Sequence, residues 1–236
     1  MGTVIKSASR LTRPPSKEST LPPLEPGDHL DQETFHRRYE AMPEDFRAEL
    51  IGGIVFMPSP VSRPHGRTHS LVIRWLGAYE DATPGVEVLD NATNILDEES
   101  EPQPDSCLFI LPEKGGQVRD VGGYVTGAPE WMGEIAYSTD AIDLHLKKGD
   151  YERAGVKEYT VVALRQAKVF WFIARRGKFK ELALGRDGVF RSEVLPGLWL
   201  DPGALLRHDS RRLLAVLRHG LATPEHAAFV AKLAAK

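Results

Sequence analysis

The sequence is short of cysteine, of long apolar runs and of any excess of one charge, and each shortage excludes something. One cysteine, Cys107, in 236 residues rules out an internal disulfide framework and fits a reducing, cytoplasmic setting. No apolar stretch reaches the roughly 20 residues a membrane span requires, and the N-terminus lacks the apolar segment of a secretory signal. Lys and Arg number 30 against 33 Asp and Glu, a formal net charge of −3, so a broadly basic surface is excluded while a local basic patch is not. Aromatic residues are nearly absent from residues 1–28, where prolines are scattered. That composition cannot bury a core, and a disordered leader is expected there.

What is present suffices for one substantial domain: 42% hydrophobic and 27% charged residues are ordinary for a globular chain. Phe35 and Tyr39, four apart, predict a helix over 31–42. Glu49-Leu50-Ile51-Gly52-Gly53-Ile54-Val55-Phe56 reads as two short strands joined by a Gly-Gly turn. Leu71, Val72, Trp75, Leu76 and Tyr79 recur at helical spacing over 66–81. Strands are expected over 86–96 (with an Asp-Asn turn inside), 106–111, 131–137, 158–164 and 169–174, with shorter ones over 180–184 and 189–194. Residues 112–129, rich in glycine, suggest a long loop or hairpin. Ser138-Thr139-Asp140 opens a helix that Gly155 closes. Two further helices are expected over 205–219 and 224–235. The order gives one mixed α/β domain with a central sheet, placed at 29–206, with 207–236 a helical extension.

Three features carry chemistry. Gln103-Pro104-Asp105 sets an acid where a buried strand begins. Glu134 lies inside Trp131-Met132-Gly133-Glu134-Ile135-Ala136-Tyr137, and an ionised carboxylate among strand residues is expensive unless it meets a cation or a donor. The helix that follows bears Asp143, Lys147 and Lys148. Two carboxylates at neighbouring strand ends can hold a hard divalent cation, typically Mg²⁺, which acidifies water and stabilises charge on a phosphate. A nearby lysine supports the same water and charge.

These segments resemble the Uma-type restriction endonucleases, a bacterial branch of the PD-(D/E)XK nuclease superfamily, over about residues 35–206. The resemblance is carried by Glu49 to Val55, Met57-Pro58-Ser59-Pro60, His69 on the next helix, Gln103-Pro104-Asp105, Gly127-Ala128-Pro129, Glu134-Ile135, Asp143 to Lys147, and Tyr151 to Tyr159. It implies a restriction-endonuclease-like core with a mixed sheet flanked by helices, and a Mg²⁺- or Mn²⁺-dependent endonuclease acting on DNA as a homodimer. It further implies that Asp105 and Glu134 are metal carboxylates, Glu49 a third acid at the same metal, and Lys147 the catalytic lysine. The superfamily lysine normally stands two residues after the second acid. Here that position is Ala136, so the lysine must come from the following helix, as Lys147 or, with a one-residue shift, Lys148.

Each residue also has a plain structural reading. Asp105 could cap a turn after Pro104, Glu134 could form a salt bridge with Lys147, Glu49 an exposed pair near Arg47, and Lys147 a solvated helix face. His69 reads as a surface or helix-packing residue, Asp143 as a partner one turn before Lys147, and Tyr151 as helix packing. Cys107 reads as a core thiol. Phe170-Trp171-Phe172 reads as core or a dimer contact, and Arg175-Arg176-Gly177-Lys178 as a solvated hairpin tip. A catalytically silent DNA-binding or assembly module on the same fold is the competing function.

Overall fold

The computed structural model describes residues 21–58 and 60–236; the expected leader lies outside these as far as residue 20. From residue 21 the chain packs: Leu24 is buried against Phe35, Leu50 and Val55. Arg38 also donates to the carbonyls of Pro22 and Pro23 and pairs with Asp28. Hydrophobic burial thus begins inside the segment that its prolines mark as unable to fold alone. Leu24 folds because α1 (Gln32–Glu40) supplies the other half of the cluster.

A six-stranded mixed sheet forms the centre. Its strands are β3 (Val86–Asp90), β5 (Ser106–Ile110), β8 (Trp131–Ala136), β9 (Glu158–Ala163), β10 (Lys168–Arg175) and β11 (Lys178–Glu181), in the order β11-β10-β9-β8-β5-β3. Only β8 and β9 are parallel; the other pairs are antiparallel. The parallel pair is joined through the helical segment between them, as a parallel connection demands.

Alternation along β8 sorts the two faces. Trp131 and Ile135 join Trp75 and Tyr79 of α2 (Arg63–Asp81) on one side. Met132 and Ala136 join Tyr151 of α3 (Lys148–Ala154) on the other. Trp75, Trp131 and Trp171 meet edge to face at 6.1–6.3 Å, the geometry their ring quadrupoles favour. Gly133 is required between Trp131 and Glu134: a Cβ there would lie 2.3 Å from the Trp131 ring.

Several expected elements divide. The span 86–96 is two strands in different sheets, broken at Asn91 with φ +51. Its second part, β4 (Asn94–Ile95), pairs with a hairpin of β6 (Arg119–Val121) and β7 (Tyr124–Thr126), so the glycine-rich stretch is a small sheet. The helix expected over 205–219 is α4 (Pro202–Leu206) and α5 (Ser210–Leu221), separated at His208, whose φ is +57. Of the last two strand expectations, 189–194 contracts to β12 (Phe190–Arg191), paired with β13 (Trp199–Leu200). Within residues 207–236, Leu213 and Leu217 of α5 and Leu233 of α6 (Pro224–Ala234) belong to the same buried cluster as Trp75 and Trp171. Among the described residues no helix is long and apolar enough to cross a membrane.

Candidate active site

Register brings the two strand acids together. β5 and β8 pair with Ser106 opposite Gly133, and one further step sets Asp105 opposite Glu134 on the face toward α3. Asp105 is more than a turn cap: its Oδ2 accepts the Ile135 N–H across the strands at 2.7 Å. Its own N–H points at Glu134 Oε2 at 3.5 Å.

Glu49 arrives from the hairpin of β1 (Glu49–Ile51) and β2 (Ile54–Phe56). Gly52 and Gly53, with φ +58 and +74, form the primed turn such a hairpin prefers. Buried Asp150 of α3 fixes that turn by accepting the Gly52 N–H at 2.6 Å and the Ser100 hydroxyl. Glu49 Oε1 then accepts the Gln103 N–H at 2.7 Å. Arg47, the expected surface partner of Glu49, donates instead to the carbonyls of Glu44 and Phe46.

Lys147 is buried at 5% exposure, which overturns the solvated-face reading. Its Nζ lies 2.8 Å from Glu49 Oε1 and 3.0 Å from Glu134 Oε1. The helix expected over 138–154 runs as a π-helical segment from Ile142 to Lys147 before continuing as α3. Such wide turns recur at functional sites. Lys148 goes elsewhere, with its ammonium 4.1 Å from the centre of the Phe172 ring. Asp143 is buried and accepts from Thr139 Oγ1 at 2.5 Å rather than pairing directly with Lys147.

Electrostatically, Glu49, Asp105, Glu134 and Asp143 face one lysine. Burial raises Glu134 well above the usual carboxylate range; Lys147 opposes that shift, and Asp143, Asp105 and Glu49 add to it. Burial also lifts Asp143 to about 6, with Lys147 and the Thr139 bond countering. For Lys147 burial favours the neutral form, but Glu134 and Glu49 outweigh it and hold the ammonium charged. Asp105 is pushed up by burial, yet its bond to His65 and that ring's charge bring it below the usual value.

Two residues escaped the sequence reading. Tyr151 packs as expected but also donates its hydroxyl to Glu134 Oε1 at 2.7 Å. His65 places Nε2 3.2 Å from the Asp105 carboxylate. His69, set aside as a packing residue, has Nε2 2.6 Å from the Asp105 carbonyl oxygen and 3.1 Å from Asp90 Oδ1. The i, i+4 spacing of the two histidines was the available signal. His65 falls outside the helix expected over 66–81, whereas α2 begins at Arg63 behind the Ser62 cap with Pro64 in its first turn, where proline is tolerated.

The family model described as Uma2, putative restriction endonuclease, matches residues 32–203. The chain belongs to the Uma2 family. Among solved structures it is similar to one from Anabaena variabilis, titled a putative nuclease belonging to DUF820. The TM-score is 0.54 at 14% identity, covering 72% of this chain and 97% of that one; at that identity the likeness concerns the fold. No curated protein matches the chain. The expected mixed central sheet flanked by helices is thus present.

The remaining residues with expected roles are structural. Cys107 is fully buried, and burial pushes its thiol up to about 12, so it is no nucleophile. Trp171 and Phe172 are core. At the hairpin tip Arg175 pairs with Glu193 and Lys178 with Glu152.

Proposed function

We propose that this Uma2 protein is a divalent-metal-dependent endonuclease that hydrolyses DNA phosphodiester bonds. The observation that carries the reading is the facing pair Asp105 and Glu134, joined by Glu49 and Asp143 around a single lysine. Four acids against one ammonium leave an excess of negative charge in a partly closed site. Hard carboxylate oxygens in that number suit Mg²⁺ or Mn²⁺, and Asp105 and Glu134, with Glu49, would hold it.

When bound, the ion supplies Lewis acidity toward water and the scissile phosphate. The chain's own residues do the rest. Lys147, held charged between two acids, would orient a water and offset charge growing on the phosphate. Tyr151 fixes the carboxylate of Glu134 through Oε1. The Gln103 N–H does the same for Glu49.

The salt bridge between Lys147 and Glu134 is also what a silent module would keep, so activity decides between the two. Plasmid nicking in Mg²⁺ or Mn²⁺ is expected from the wild type and lost in Asp105→Ala, Glu134→Gln and Lys147→Met. Equal activity in all four proteins overturns the mechanism; salt-dependent DNA binding without cleavage in any divalent metal favours the silent module. Cutting both strands favours paired sites, so a cytoplasmic homodimer is part of the proposal, checked by sedimentation equilibrium.

A further inference from the structure

The side of Asp105 away from Lys147 has a different chemistry. His65 and His69 stand four apart on α2, and so on one side of that helix. Both turn Nε2 toward Asp105, and their rings meet edge to face with centroids 5.9 Å apart. One donor atom from each of His65, His69 and Asp105 lies within 4.8 Å of the others. Donors around a tetrahedral ion at roughly 2.0–2.1 Å stand about 3.3 Å apart, so small side-chain rotations would close the set. Asp90 Oδ1, 3.1 Å from His69 Nε2, offers a fourth donor at the solvent side.

No lysine or arginine neutralises this half of the site: among the described residues the ion pairs of Asp105 and Asp90 are to histidine alone. Among the described residues none partners the second, buried ring nitrogen of His65, a polar atom left for water. Protons now bridge the imidazoles to the oxygens, and a cation could replace them. Imidazole with carboxylate selects borderline transition ions over Mg²⁺.

We propose that His65, His69 and Asp105, completed by Asp90, form a binding site for a divalent transition ion of the zinc class. It is distinct in chemistry from the carboxylate site and shares Asp105 with it. The proposal goes beyond the nuclease reading and stands without it, because it concerns binding.

The test uses Zn²⁺ with the full chain. Calorimetry is expected to find zinc bound by the wild type, with X-ray absorption at the zinc edge showing two imidazoles. His65→Gln and His69→Gln should each weaken binding at least tenfold, whereas Glu134→Gln, which keeps both rings, should change it less than threefold. Absence of zinc binding, zinc bound without imidazole scattering, wild-type affinity in either histidine variant, or a larger loss in Glu134→Gln than in the histidine variants overturns the proposal. The absorption spectrum reads the wild type alone, so a variant that fails to fold leaves the test intact. Nicking in Mg²⁺ by wild type and Glu134→Gln reports separately on the nuclease reading.

Discussion

Lys147 and Lys148 are adjacent and chemically identical, yet one is buried between two acids and the other lies on an aromatic face. Removing one partner of a buried pair strands the other charge, at a cost of about 3–5 kcal/mol. Lys147→Met is therefore expected to lower stability by roughly that amount at pH 7.5, and by less at pH 5, because burial favours the protonated form of Glu134 and acid promotes it. Lys148→Met forfeits a single cation–π contact, about 0.5–1 kcal/mol. Urea unfolding of both variants at the two pH values checks this.

Asp143 gives a pH signature of its own. Its folded value of about 6 lies above the ordinary value of 3.8, so the folded state holds the proton more readily than the unfolded one. Stability from this residue is complete below about pH 4 and is lost as pH rises through 6. At pH 7.5 its charge costs the fold about 2–3 kcal/mol. Asp143→Asn is expected to recover much of that at pH 7.5 and to flatten the stability profile between pH 4 and 6, as denaturant titrations across that range would read.

At the scale of elements, legibility followed how local the cause was. The Gly52-Gly53 turn, the amphipathic stripe of α2 and the alternation in β8 depend on neighbours in sequence, and they could be read directly. Asp105 and Glu134 were legible as candidates because one stands where a buried strand begins and the other interrupts one. Their exact opposition was not, since strand register is set by side chains packed from elsewhere. The π-helical turn before Lys147 was invisible for a similar reason: residue spacing assumes 3.6 residues per turn. His65 was lost to a boundary error of three residues at the start of α2.

Asp150, which also pairs with Arg153, anchors the turn of the hairpin bearing Glu49, beside backbone bonds from its strands to residues 27–30 and 99–101. Asp150→Ala leaves the Gly52 N–H and the Ser100 hydroxyl without their acceptor, and about 2–4 kcal/mol of destabilisation is expected. Nicking should fall with it even though Asp150 bonds none of the other site groups, because the turn that carries Glu49 loses an anchor. Thermal melts alongside nicking rates test the link. Unchanged rates would mean that the hairpin is positioned by other contacts.

For the whole molecule, the match to the family ends at residue 203, yet the core does not. Leu213, Leu217 and Leu233 are almost fully buried on the α2 side of the sheet. The side chain of Trp75 also donates to the Trp199 carbonyl at 2.9 Å, just ahead of α4. Losing three buried leucines costs on the order of 2–5 kcal/mol each when truncated, against a typical total of 5–15 kcal/mol. A chain ending at Leu206 is expected not to fold cooperatively, and circular dichroism with a thermal melt would show it. A cooperative transition near that of the full chain would instead make residues 207–236 a dispensable extension.

Cys107 gives the protein a built-in clock. As the single thiol, fully buried two residues from Asp105 in β5, it can meet a water-soluble alkylating reagent only when that strand opens. Its labelling rate therefore counts excursions of the central sheet out of the native state. A cation that ties Asp105 to its neighbours should slow that count without touching the sulfur, so occupancy of a colourless ion becomes measurable as elapsed time.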